Sequence, residues 1–290
     1  MLKNIPIPAS FSLITKGTVS LLLKEKYKDF LLQQGIGDID AFLHRNHPGS
    51  KHLEGRTLHL CVPLKNGEWM VVRHYSHGGL FRSLTRDLYL FGSRSFLEAA
   101  LTEEIRSHGI PTIQPIGAIH HRVFAFFYRA YLLSLEIPSA RDLVQYLREI
   151  GPHPAGETLV TKRRIIRSGG LILRQFHQAG FFHSDLQLKN LVLSRDQLFL
   201  IDFDRSYRKE ILSLREKTEN LLRLNRSAEK WKRKGLAITR GDRMRFFLAY
   251  AGDNSEIRET FRRALRTYAF RSIFHRWYWT PKEFMCRGNS

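Results

Sequence analysis

Cysteine is scarce in this chain of 290 residues, and its placement removes two architectures at the outset. The two present, Cys61 and Cys286, lie far apart without metal-ligand spacing. They support neither a disulfide framework nor a cysteine zinc site, and they point to a reducing compartment. Long apolar runs are missing as well. Stretches such as Leu21–Leu23 and Phe124–Phe127 fall far short of the roughly 20 residues that cross a bilayer as a helix. The opening Met1–Ser20 is broken by Pro6 and Pro8 and has no continuous apolar core, so no secretory leader is expected and cytoplasm is the expected location. Internal repeats and low-complexity tracts are also lacking. Acidic residues are the last shortage: 27 Asp and Glu face 47 Lys and Arg, a net charge of +20. Residues 205–290 alone hold 22 basic residues against 9 acidic ones. Such a surface attracts polyanions, whether nucleic acid, anionic lipid head groups or a phosphorylated substrate, and composition does not choose among them.

What is present is ordered along the chain. Phe11–Leu23 suits a strand pair around Lys16-Gly17. Thr57–Pro63 and Trp69–Tyr75 flank Lys65-Asn66-Gly67, and an Asn-Gly between two such runs marks a hairpin. Ser95–His108 has helical spacing and stops at Gly109. Val123–Leu135, rich in Phe and Tyr, reads as two buried strands. Ala140–Ile150 suits a short helix, Thr161–Ala179 a long one ended by Gly180, and the pattern from Leu212 onward is helical. Strands first and helices after make an α+β chain, with a sheet-rich lobe over 1–134 and a helical lobe over 135–290.

The chemistry concentrates within the second lobe, at His183-Ser184-Asp185-Leu186-Gln187-Leu188-Lys189-Asn190. Two apolar runs, Leu191–Leu193 and Leu198–Ile201, then flank a polar turn and end in Asp202-Phe203-Asp204. A hairpin here brings Asn190 beside Asp202, with Asp185 just upstream. An amide oxygen and carboxylates are hard ligands of the kind Mg²⁺ prefers. A carboxylate set back from the metal can accept the proton of an attacking hydroxyl. Asp185 is the expected base, Asn190 and Asp202 the expected metal ligands, and His183 the residue that holds the loop.

His-x-Asp-Leu-x-x-x-Asn, followed twelve residues later by the Asp of Ile-Asp-Phe, resembles the catalytic loop and metal strand of the protein-kinase-like fold. A bilobal fold and ATP as donor follow from that resemblance. Asp204 stands where switching protein kinases have Gly, and no Ala-Pro-Glu follows, which favours a constitutive small-molecule kinase. Upstream, Trp69-Met70-Val71-Val72-Arg73 occupies the place of the strand that carries the phosphate-binding Lys, here Arg73. Its expected partner is Glu98, chosen over Glu103 and Glu104. Gly55 is the single glycine where a Gly-rich loop is expected, and Glu136 matches the hinge that reads adenine through its backbone.

Further residues narrow the group. Arg73-His74-Tyr75 with Gly78-Gly79-Leu80, Arg94-Ser95-Phe96-x-Glu98, Gly109-Ile110-Pro111 with Pro115, and Asn220-Leu221-Leu222-Arg223-Leu224-x-Arg226-Ser227 resemble the lipopolysaccharide-core sugar kinases that act on 3-deoxy-D-manno-octulosonic acid (Kdo). The resemblance spans about residues 50–235. It implies Mg-ATP-dependent phosphorylation of a Kdo hydroxyl on the lipid-A-linked core, peripherally at an anionic inner-membrane surface, cytoplasmic face, with no nucleic acid expected. The cluster Lys230-Trp231-Lys232-Arg233-Lys234 is the expected membrane contact, its Trp at head-group level. A heptose kinase of the same core pathway or an aminoglycoside-type phosphotransferase would keep the same three polar residues. A nucleic-acid-binding pseudokinase is the alternative from another class, motivated by the charge and by Trp277, Tyr278 and Trp279.

Overall fold

The computed structural model describes residues 5–53, 59–65, 67–76 and 87–278, the stretch 268–278 by its backbone alone. The first half is built on a sheet. Strands β1 (Phe11–Lys16) and β2 (Val19–Lys24) form a tight hairpin. Its turn begins at Gly17 with φ +60, a left-handed conformation that glycine adopts without strain. Helices α1 (Glu25–Gln33) and α2 (Ile39–His44) follow. Then come β3 (Lys51–Leu53), β4 (His59–Pro63), β5 (Trp69–His74), β6 (Tyr89–Leu90), helix α3 (Arg94–Ser107), β7 (Pro115–Phe124) and β8 (Phe127–Leu135). Among the described residues the strands run in the order β1-β2-β7-β8-β5-β4-β3, with β6 also on β8, and every pair is antiparallel.

Side chains alternate across such a sheet, and this alternation assigns each strand residue to one of two layers. Met70, Val72, Tyr131 and Leu133 pack with Tyr27, Leu31 and Phe42 under α1 and α2. Tyr75, Tyr89, Tyr128 and Leu132 pack on the opposite face with Phe96 and Ala99 of α3. Arg73 is one residue from Val72, so it points to the α3 side.

The second half is helical around a small sheet. It comprises β9 (Arg141–Asp142), α4 (Leu143–Glu149), α5 (Gly156–Gln178), β10 (Phe181–Phe182), a 3₁₀ turn at Leu188–Asn190, and the hairpin β11 (Leu191–Ser194) and β12 (Gln197–Leu200). Strand β13 (Tyr207–Arg208) and helices α6 (Leu214–Arg233), α7 (Arg240–Ala251) and α8 (Ser255–Tyr278) complete it. The hairpin pairs Leu191 with Leu200. Phe176, Phe181, Leu186, Leu198 and Phe203 meet in one core with Leu221 and Leu224 of α6. Gly180 ends α5 at φ +85, and a Cβ there would collide with the Lys209 carbonyl beside β13. The chain can therefore turn sharply into β10 only with glycine at this point.

One expectation from sequence is corrected. The aromatic run Phe124–Phe127 does not lie in buried strands: β7 and β8 turn at Ala125-Phe126, and Arg122–Phe126 are exposed. Apolar character foretells burial only where another layer covers the strand, and β7 and β8 extend past the edge of α3.

Candidate active site

The segment after β10 is fixed by a buried imidazole. His183 is fully buried. Its Nδ1 accepts the Asp185 N–H at 3.2 Å, and its Nε2–H donates to the Ile201 carbonyl at 3.0 Å. That pairing requires the neutral ring, and burial lowers the His183 pKa accordingly. The backbone of His183 is clamped from α6. The Asn220 Nδ2 donates to its carbonyl at 2.9 Å, and Asn220 Oδ1 accepts its N–H at 3.0 Å. Asn220 Oδ1 also accepts from His177 Nε2 at 3.1 Å, and His177 Nδ1 accepts the Tyr250 hydroxyl at 2.7 Å. A chain of buried groups thus runs from α7 through α5 and α6 to the loop that carries Asp185.

Asp185 itself is about half exposed, with a side-chain accessibility of 53%, so a hydroxyl can reach it. Gln187 donates to its Oδ2 at 2.8 Å, and the Arg223 guanidinium stands 3.9 Å from Oδ1. Asn190 Nδ2 donates to the Asp185 carbonyl at 2.8 Å, which turns the amide oxygen the other way. The Ile201 N–H donates to the Asn190 carbonyl at 3.0 Å, so the residue after it, Asp202, lies at the same end of the β11–β12 hairpin. Asp202 has φ +68. A non-glycine residue in that region is strained, and such strain is held in place where a side chain must be aimed. Among the described residues no three His, Cys, Asp or Glu side chains converge as a metal site. The amide and carboxylate oxygens of Asn190 and Asp202 are nonetheless a hard donor pair that suits a cation sharing its shell with phosphate and water.

Arg73 spans the two halves of the chain. Its guanidinium makes a bidentate pair with Glu98 at 3.0 and 3.1 Å and reaches Asp202 Oδ1 at 3.0 Å. It also lies over the Tyr75 ring, 4.7 Å from the centroid. Burial, the largest single influence, would lower the Arg73 pKa, but Glu98, Tyr75 and Asp202 together outweigh it and the guanidinium is held charged. Burial raises the Glu98 pKa and Arg73 opposes it, leaving a net upward shift. The Tyr75 hydroxyl donates to Glu98 as well, and burial pushes its own pKa well above the usual phenol range. Glu103 is engaged by Lys24 and Arg106, and Glu104 by Arg208.

Asp204, the second acid of Asp-Phe-Asp, faces a different partner. Arg94 Nε donates to Asp204 Oδ1 at 3.0 Å, and its terminal nitrogen meets Oδ2. Arg94 lies over the Tyr89 ring at 4.6 Å, and its backbone N–H donates to the Tyr128 hydroxyl at 3.3 Å. The Glu136 N–H donates to the Trp69 carbonyl at 2.8 Å, and its carboxylate pairs with Lys51. Recognition of a base by Glu136 would therefore fall to its carbonyl oxygen. Gly55, Asn66 and Gly78-Gly79-Leu80 lie outside the described residues, as does Trp279, and the side chains of Trp277 and Tyr278 are not described.

Sequence reasoning about the site left out Tyr75, Arg94, Gln187, Asn220 and Arg223. All five stood in the stretches that carried the family resemblance, and that membership was the available signal. Trp231 is partly buried against the helical core, with Lys234, Lys189 and Arg148 ranged over its ring at 5.2–5.9 Å.

A solved structure of WaaP in complex with acyl carrier protein superposes with a TM-score of 0.56 over 85% of this chain and 98% of that one, at 18% identity, which shows the fold. The 3-deoxy-D-manno-octulosonic acid kinase of Vibrio cholerae serotype O1 is 35% identical over 216 residues, covering 68% of this chain and 86% of the relative. That of Pasteurella multocida is 37% identical over 62% of this chain and 73% of the relative. The same enzyme of Photobacterium damsela subsp. piscicida is 36% identical over 54% of this chain, and the match spans 63% of that relative, under two thirds of its length. The model of the lipopolysaccharide kinase (Kdo/WaaP) family matches residues 51–250, and the chain belongs to that family.

Proposed function

We propose that this chain is an ATP-dependent kinase that phosphorylates a hydroxyl of Kdo in the lipid-A-linked inner core. The observation that carries the reading is the convergence of Asp185, Asn190, Asp202 and Arg73 where the sheet half meets the helical half. Asp185 accepts the proton of the acceptor hydroxyl as its oxygen attacks the γ-phosphorus. The bond from that phosphorus to the β–γ bridging oxygen breaks, and ADP leaves. Gln187 orients the carboxylate for this step. Arg73, kept charged by Glu98, supports the donor phosphates as a planar fork. A divalent cation, Mg²⁺ in this reading, held by Asn190 and Asp202 would offset the charge on those phosphates. Glu136 offers its backbone carbonyl to adenine. The lobe boundary falls at 134/135.

The acceptor is itself an acid, and Arg223 is the cation beside the proposed base. A guanidinium there suits the Kdo carboxylate better than the uncharged heptose of the rival reading. The setting is the cytoplasmic face of the inner membrane, approached peripherally. No helix among the described residues is long and apolar enough to cross a membrane, and the basic surface, including the exposed Lys230, Lys232, Arg233 and Lys234, favours anionic lipid. The deciding experiment incubates the full chain with Kdo-lipid A or heptosylated core, Mg²⁺ and ATP, and weighs the products by mass spectrometry. One added phosphate on Kdo-lipid A is expected. Phosphate on heptosylated core alone would give the function to the rival.

A further inference from the structure

Among the described residues, the exposed phenylalanines are gathered at one end of the sheet. Phe124 is 72% exposed, Phe91 58% and Phe126 53%, with Leu90 and Val123 beside them. The strand pairing brings these residues together. Leu90 of β6 is opposite Phe127 of β8, the β7–β8 turn closes two residues before that, and the rings of Phe91 and Phe126 lie 5.4 Å apart. Contiguous exposed apolar surface of this kind marks an interaction site.

The turns make the same point independently. Ala125 sits at φ 42 in the two-residue turn between β7 and β8, and Phe91 sits at φ 54 just after β6. Such positions favour Gly, Asn or Asp, and a bulky residue there is an outlier. Here the chain holds an aromatic in that conformation, or beside it, and leaves it exposed among the described residues. Local rules broken without any folded-state gain are characteristic of functional surface.

The surroundings choose the occupant. Leu88–Ser95 and Pro115–Leu135 contain no Asp or Glu, the two acids that reach these strands, Asp87 and Asp40, are paired with Arg129, His74 and His121, and the exposed Lys16 and Arg122 flank the tip, the Arg122 N–H donating to Thr18 in the β1–β2 turn. An apolar, aromatic apex with a basic collar complements an anionic bilayer, in which Phe rings enter below the head groups and cations stay among them. The apex also leads to the cleft. Leu90 adjoins Tyr89, whose ring is covered by Arg94, which holds Asp204.

We propose that the tip formed by Leu90, Phe91, Val123, Phe124 and Phe126 inserts into the head-group region of an anionic membrane and so sets the cleft at the depth of a lipid-linked acceptor. The choice of acceptor rests on the kinase reading; the insertion does not, and is measured without nucleotide. Flotation of the full chain with vesicles of phosphatidylethanolamine and phosphatidylglycerol should recover it, and vesicles of phosphatidylcholine alone should not. Phe124→Ser with Phe126→Ser should weaken partitioning about tenfold or more, the scale set by burying two aromatic rings, with an unchanged thermal midpoint. In a separate variant, Phe126→Trp, fluorescence should shift to the blue on adding anionic vesicles. Phosphorylation of vesicle-borne Kdo-lipid A should fall with the double change, and that of a de-acylated acceptor should stay within about twofold. Undiminished flotation of the double variant, or a fluorescence that vesicles leave unmoved, overturns the proposal. So does a wild-type dimer that the double change makes monomeric, because the tip would then cover a second copy. Loss of flotation in a protein that phosphorylates nothing would instead uphold the insertion and refute the kinase reading.

Discussion

Arg94 holds Asp204 across 110 residues of sequence, with Nε 3.0 Å from Oδ1. The contact decides between the two acids of Asp-Phe-Asp. Both acids meet a guanidinium, but Arg94 occupies both oxygens of Asp204, whereas Arg73 meets only Oδ1 of Asp202, which lies beside Asn190 at the hairpin end. Asp202→Ala should therefore lower turnover by about a thousandfold or more, as expected where a metal-borne charge offset is lost. Asp204→Ala should cost nearer tenfold, the scale of a charged hydrogen bond that positions a segment. Steady-state rates of the two variants check the ranking, and a reversal of the order would make Asp204 the ligand.

Arg73 and Glu98 give a test in which stability and activity separate. Glu98 is buried with 1% of its side chain accessible, and Arg73→Ala would leave it there without its counter-ion, held by the Tyr75 hydroxyl. Breaking a pair of this kind costs roughly 3 kcal/mol or more, so the thermal midpoint should drop and the KM for ATP should rise. Adding Glu98→Gln should return much of the midpoint and none of the activity. Arg73→Lys should recover part of the rate, because the charge stays but the fork is lost. Thermal melts and ATP titrations on the three variants decide it; full activity in Arg73→Ala would leave the residue a purely structural role.

Asp185 and Arg223 predict a division between the two substrates. Asp185→Asn should keep nucleotide affinity and lose about 10²–10⁴ in turnover, the usual worth of a general base. Arg223→Ala should raise the KM for the Kdo acceptor with little change in that for ATP. Arg223→Lys should recover part of it, since a point charge still meets a carboxylate. Kinetics with each substrate varied in turn provide the check, and equal effects on both KM values would remove Arg223 from the acceptor side.

Local spacing carried most of what could be read in advance. The β11–β12 hairpin needs only its own residues and a polar turn, so the approach of Asn190 to Asp202 followed from the sequence. Arg73 with Glu98 was legible because a strand followed by a helix keeps a familiar offset. The Arg94–Asp204 pair was not, because nothing local links residues 110 apart. Tyr75 and Asn220 act through buried hydrogen bonds that only packing reveals. The aromatic run at Phe124–Phe127 was read as buried because hydropathy reports what a side chain favours and not whether the fold supplies a cover.

The buried chain from Tyr250 to His183 makes stability depend on pH. His177 donates to Asn220 Oδ1 through Nε2 and accepts the Tyr250 hydroxyl at Nδ1. A second ring proton would sit on Nδ1 and force the Tyr250 hydroxyl from donor to acceptor, with the charge held in a fully buried site. Burial pushes the His177 pKa down to about 4 from an ordinary value of 6.5. Between those values the unfolded chain binds a proton that the folded chain refuses. The contribution of His177 is thus complete above about pH 6.5 and drains as pH falls toward 4, by about 3 kcal/mol in all. Buried His183 and half-buried His120, both shifted downward chiefly by burial, act in the same direction. Denaturant titrations from pH 7 to pH 4 should show falling stability, and His177→Gln should flatten that fall while starting from a lower value at pH 7. Because Asn220 holds the His183 backbone, the same variant should also lose turnover at pH 7 with KM for ATP nearly unchanged. An equally steep acid loss in His177→Gln would show that His177 is not the group that takes up the proton.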